Sequence, residues 1–130
     1  MEGALWVATG QAHVETAVES AKTFKIFNPG KSTALFTDER IEKDAFDYVQ
    51  MIPSDVVRPK IDMLSSSPFD RTIYLDNDTM VLGDLSSAYQ ILNKFDMAGC
   101  QVQLWQKPRH NRKYRIEVPI LFPEINCGVL

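Results

Sequence analysis

Three short stretches are almost wholly apolar, and none alternates with polar residues: Ala4-Leu5-Trp6-Val7-Ala8, Thr33-Ala34-Leu35-Phe36-Thr37 and Thr72-Ile73-Tyr74-Leu75. A strand with one face in water reads as an alternation, whereas a strand covered on both faces does not. Between the first two runs, Val14, Ala17, Val18, Ala21 and Phe24 recur at helical spacing, and Asn28-Pro29-Gly30 ends that helix. A helix between two doubly buried strands is the crossover of a parallel sheet. Tyr48–Ile52, closed by Pro53, reads as another strand. Pro59 opens a short helix carrying Ile61 and Leu64, which Ser65-Ser66-Ser67-Pro68 ends. Asp84 is placed to N-cap a helix with Leu85, Ala88, Leu92 and Phe95 on one face, and Met97–Val102 reads as a further strand. The expectation is an α/β fold, with a mostly parallel central sheet and helices on both faces.

Composition narrows the function classes. The 130 residues suffice for one core, and 45% hydrophobic with 24% charged residues is a globular balance. A net charge of -3 argues against a dedicated nucleic-acid binder. No run of about 18 apolar residues is present to span a membrane. Met1-Glu2-Gly3 has neither the basic nor the apolar region of a signal peptide, so a cytoplasmic location is expected. Cys100 and Cys127 are too few for a disulfide framework and read as small buried thiols. One stretch stands apart: Lys107, Arg109, Arg112, Lys113 and Arg115 fall within eleven residues that contain no acid, with Trp105 and Tyr114 at their margins. That stretch reads as a solvated loop or as a site for an acidic or phosphorylated partner. The final residues, Ile125 to Leu130, are apolar and strand-like where natural chain ends are usually polar, so the chain is expected to be a partial domain.

In parallel sheets, ligands bind at the carboxyl ends of the strands. Those ends carry Thr9-Gly10, Thr37-Asp38 and Asp76-Asn77-Asp78. Two carboxylates one residue apart can hold a hard divalent cation, which takes oxygen ligands and often shares them with substrate phosphates. With ten aspartates in the chain, chance supplies about one such pair, so only its context makes the pair a signal. Here the pair leaves an apolar strand directly. Thr9-Gly10 alone reads as an ordinary strand-to-helix turn, Lys60 as a solvated helix residue and His13 as exposed. Neither a G-x-G-x-x-G nor a G-x-x-x-x-G-K-[ST] pattern follows the first strand, which removes dinucleotide and P-loop readings.

Arg71-Thr72-Ile73-Tyr74-Leu75-Asp76-Asn77-Asp78-Thr79-Met80-Val81 resembles the "R-hydrophobic-YLDxDxxV" signature of nucleotide-sugar glycosyltransferases. The similarity is to the glycogenin-like enzymes of glycosyltransferase family 8, which have the GT-A fold. Leu5-Trp6-Val7-Ala8-Thr9 resembles their first strand, Lys60-Ile61-Asp62-Met63-Leu64 their helix before the signature, and Ile125-Asn126-Cys127-Gly128-Val129 their "FNSGV" segment. The resemblance implies a metal-dependent, retaining transfer of a sugar from a UDP-sugar to a hydroxyl acceptor. It implies that Asp76 and Asp78 meet Mn²⁺ or Mg²⁺. It places Thr9 and Gly10 near uracil and ribose, Lys60 by the donor sugar or diphosphate, and Asn77, Asn126 and Gly128 around the donor.

Three positions depart from that family, and one family residue has no counterpart. His13 stands where a Tyr is common, Asn77 replaces a small residue between the aspartates, and Cys127 replaces Ser. The family's third metal ligand is a His well downstream of "FNSGV", and neither His13 nor His110 matches it. A non-catalytic or truncated nucleotide-sugar-binding fragment is therefore the alternative. A haloacid-dehalogenase-like phosphatase also begins from a strand and D-x-D. It wants Thr or Val where Met80 stands, and a later acidic pair, but past Asp96 only Glu117 and Glu124 occur, far apart.

Overall fold

The computed structural model describes residues 1–41, 43–53, 55, 58–101, 125–126 and 128–130. Four parallel strands form the centre: β1 (Glu2–Ala8), β2 (Ser32–Thr37), β3 (Tyr48–Met51) and β4 (Arg71–Tyr74), in the order β3-β2-β1-β4. In register, Trp6 lies beside Leu35 and Leu5 beside Tyr74. β1 and β2 are buried along nearly their whole length, as their lack of alternation requires. Helix α1 (Gln11–Phe27) crosses from β1 to β2, and α2 (Pro59–Leu64) precedes β4.

Successive side chains of a strand point to opposite faces, and each face has its own core. On one face Trp6 meets Phe24 of α1 and Phe46 edge-on, at centroid distances of 5.8 and 5.6 Å. Its indole N–H donates to Ser20 Oγ at 2.9 Å, so the buried ring leaves no polar atom unpaired. On the other face Leu5, Val7, Ala34, Phe36, Ile52, Phe69 and Tyr74 cluster, with Met63 and Leu64 of α2 packed on them. The expectation of helices on both faces therefore holds.

Three local expectations are corrected. The helix after Asp84 is the short α3 (Ser86–Ile91), with Leu85 as N-cap. Asp84 instead accepts the Ser86 N–H and hydroxyl at 2.9 and 2.7 Å, which closes a turn one residue early and holds its carboxyl below the usual range. Past Ile91 the chain continues in turns, and Phe95 is exposed. Of the described residues of the expected strand at Met97–Val102, Cys100–Gln101 (β5) form a strand and residues 97–99 do not; it runs antiparallel to Ile125–Asn126 (β6), outside the parallel sheet. Cys100 is accordingly exposed rather than buried. Val102, Cys127, His110, Trp105, Tyr114 and the basic stretch lie outside the described residues.

The chain's last residues pair with the end of β4 and are half-buried there, rather than fully buried as their apolar character suggests. Leu130 exchanges backbone hydrogen bonds with Tyr74 at 2.6 and 3.1 Å, and Asp76 N–H donates to Gly128 O at 2.9 Å. An antiparallel bridge joins Leu75 to Val129. The sheet is thus parallel with an antiparallel segment along the end of β4.

Candidate functional site

Strand order reverses between β1 and β4: the chain moves outward from β1 to β2 and β3, then returns to the other side of β1. Helices on opposite faces diverge at such a point and leave a crevice at the carboxyl ends of the strands. Thr9-Gly10 and Asp76 leave these two adjacent strands at that edge. Gly10 has φ 77° and ψ 148°, a conformation essentially confined to glycine, and so swings the chain from β1 into α1 without a side chain in the way. Its N–H donates to Asp38 Oδ1 at 2.8 Å, tying the ends of β1 and β2 together.

Asp76 is the best-positioned side chain of the edge. Its backbone is fixed on both sides, with N–H to Gly128 O and C=O to the Thr79 N–H at 3.0 Å. Its carboxylate is split in function. Oδ1 accepts the Tyr74 hydroxyl at 2.8 Å and the Lys60 ammonium at 3.0 Å. Lys60 also lies over the Tyr74 ring, 5.7 Å from its centroid. Oδ2 faces Gly128, where a Cβ would come within 3.3 Å of it and within 3.1 Å of Asn126 Oδ1. Glycine therefore keeps open a space lined by two acceptor oxygens, and Asn126 Oδ1 is oriented by the Gly128 N–H at 2.8 Å. Asp76 and Lys60 are each only about a third exposed, at 36% and 39%.

The structure thus brings together four of the expected residues: Lys60 from α2, Asp76 after β4, and Asn126 and Gly128 from the final segment. Asn126 and Gly128 neighbour Asp76, not Asp78. Asp78 is exposed within the turn that the Thr79 N–H closes on Asp76 O. Asn77 lies between them with its Oδ1 buried and unpaired among the described residues. Thr9 and Gly10 form the rim on the neighbouring strand, and His13 is exposed on the first turn of α1. Among the described residues no group of three or more His, Cys, Asp or Glu side chains gathers to hold a metal. Tyr74 and Asp38 were not singled out as site residues from the sequence. For Tyr74 a signal existed: it precedes Asp76 by two residues in an extended chain, so both side chains fall on one face.

No family model matches the sequence, and no curated protein matches it. Among solved structures, the galactosyltransferase LgtC, crystallised with donor and acceptor sugar analogs, aligns over 99% of this chain with a TM-score of 0.64 at 16% identity. The chain has the GT-A glycosyltransferase fold. It spans 56% of the length of LgtC. In this GT-A fold Asp76, Lys60 and Tyr74 meet at the carboxyl end of β4.

Proposed function

We propose that the chain is the nucleotide-sugar-binding region of a glycosyltransferase that moves a sugar from a UDP-sugar to a hydroxyl acceptor with a divalent cation, retaining the anomeric configuration. The observation that supports this most is the divided carboxylate of Asp76 in a GT-A fold, with a lysine on one oxygen and a glycine-lined space at the other. The space suits an oxygen-seeking cation: a Cβ would fill it, and Asp76 Oδ2 and Asn126 Oδ1 line it. Asp76 is the residue that would hold Mn²⁺ or Mg²⁺ at this space, and the family resemblance would add Asp78 from the exposed turn. When bound, such an ion neutralises charge on a departing diphosphate. Lys60 supplies a point positive charge on the same side, and phosphate groups favour such a partner. Asn126 can donate and accept toward sugar hydroxyls, and Gly128 admits the ring or the ion closely. Thr9 and Gly10 border the base and ribose on the neighbouring strand.

The test is thermal denaturation with UDP, Mn²⁺, both together and neither. Specific binding raises the midpoint by ligand linkage, and the combination is expected to exceed the sum of the single additions. Asp76→Asn and Asp78→Asn are expected to abolish that excess while leaving the unliganded midpoint within a few degrees, because both are rim residues. A wild-type midpoint unmoved by UDP plus Mn²⁺ refutes the proposal. Binding without transfer or hydrolysis of any UDP-sugar reduces it to nucleotide-sugar binding.

A further inference from the structure

Lys60 and a cation would draw on the same carboxylate. Lys60 Nζ sits 3.0 Å from Asp76 Oδ1, the atom that also takes the Tyr74 hydroxyl at 2.8 Å. The ammonium therefore already neutralises the carboxylate that a cation would need. It is not fixed by burial: its side chain is 39% exposed, and among the described residues it is held by Asp76 and the face of Tyr74. An ion pair so exposed is cheap to break when a better anion arrives. A diphosphate is such an anion, with more charge and more acceptor oxygens than one carboxylate.

We propose that Lys60 is a built-in competitor for the cation site: it pairs with Asp76, disfavours the metal alone, and is drawn off Asp76 by a nucleotide diphosphate, so that diphosphate and cation enter cooperatively. This inference rests on the reading of Asp76 and Asp78 as cation ligands. Tyr74 has the complementary part of a positioning residue. Its hydroxyl stays on Oδ1 when Lys60 leaves, so the carboxylate keeps Oδ2 turned to the space at Gly128. The sign of the effect is what distinguishes this role from that of a simple diphosphate ligand. A simple ligand would aid nucleotide binding and be indifferent to the metal alone. A competitor weakens the metal alone while aiding the nucleotide.

The experiment measures free Mn²⁺ by electron paramagnetic resonance during titration of the full chain, and UDP binding by calorimetry. The variants are Lys60→Met, Lys60→Arg and Asp78→Asn. Removing a like charge a few ångströms from a divalent ion at a partly exposed site is worth roughly a threefold to tenfold change in affinity. Lys60→Met is therefore expected to bind Mn²⁺ alone about threefold to tenfold more tightly than wild type, and UDP alone more weakly. At saturating UDP the Mn²⁺ advantage of Lys60→Met is expected to vanish or reverse, while Lys60→Arg follows wild type throughout. If Asp78→Asn loses Mn²⁺ binding but Lys60→Met binds Mn²⁺ alone no better than wild type, the competitor role is overturned and the cation-site reading stands. If none of the proteins binds Mn²⁺, with or without UDP, both fall.

Discussion

Asn28 offers the sharpest test of how the fold supports the edge that carries Asp76. Its side chain is 97% buried, at 3% exposure, yet it belongs to no strand or helix interior. The amide donates to Phe24 O at 3.2 Å and to Gly83 O at 3.3 Å, and its carbonyl accepts the Leu85 N–H at 2.8 Å. One side chain thus closes the end of α1 and anchors the segment that follows the D-x-D. A net contribution of about 1 kcal/mol applies to an ordinary hydrogen bond, and two of these three are long. Asn28→Ala removes all three and strands the Leu85 N–H in a half-buried setting, so a loss of about 2–4 kcal/mol is expected. For a chain of this size that corresponds to a fall in Tm of about 8–15 °C. Urea denaturation should show a lower midpoint with an unchanged slope. Hydrogen exchange should show the Leu85 amide losing protection before the amides of β1. Asn28→Asp keeps the volume and the bond to Leu85 but turns a carboxylate toward two carbonyl oxygens at neutral pH, so it should fare no better than Ala. A loss under about 0.5 kcal/mol in Asn28→Ala, or a Leu85 amide with unchanged protection, would refute the reasoning.

Other outcomes follow from single contacts. The Tyr89 hydroxyl is buried and unpaired among the described residues, and burial raises its pKa, so Tyr89→Phe should be neutral or stabilise by up to about 1 kcal/mol in the same urea assay. Gly3→Ala would set a Cβ 2.5 Å from the Phe69 ring and should cost about 1–3 kcal/mol through overpacking. Ser20→Ala leaves the buried Trp6 indole N–H without its acceptor, for a loss of about 1–3 kcal/mol, visible as a shift in tryptophan emission and Tm. Acid should destabilise the fold through Glu2 and Asp47. The hydrogen bond from Lys31 lowers the Glu2 pKa against the opposing effect of burial, and Arg71 adds to the lowering. Burial raises that of Asp47, but hydrogen bonds from Thr33 and Lys25 outweigh it and leave it lowered. A lowered folded pKa gives stability that is full above the unfolded values of 4.5 and 3.8 and is lost as pH falls through the folded ones. Asp47→Asn should therefore show a shallower fall in stability below about pH 4 than wild type.

The sequence by itself determined the layered α/β plan. Runs such as Ala4–Ala8 and Thr33–Thr37 have no polar face to give to water, so they must lie inside a sheet covered on both sides, and the Val14–Phe24 periodicity supplies one of the covers. It also located the D-x-D after β4, because a charged pair cannot continue a doubly buried strand. It could not determine which strand lies beside which, since parallel neighbours share no local signature. Placing β4 against β1 is what brings Asp76 and Thr9-Gly10 to the ends of adjacent strands. Nor could it show that Lys60 and Tyr74 meet on one oxygen of Asp76, or that Gly128 faces the other. Those contacts join residues from 16 to 52 positions away or depend on side-chain direction, and only packing fixes them. The stretch around Cys100 shows the same limit from the other side. Its composition suits a strand, but hydrogen-bonding partners decide whether a strand forms, and among the described residues those partners are Ile125 and Asn126.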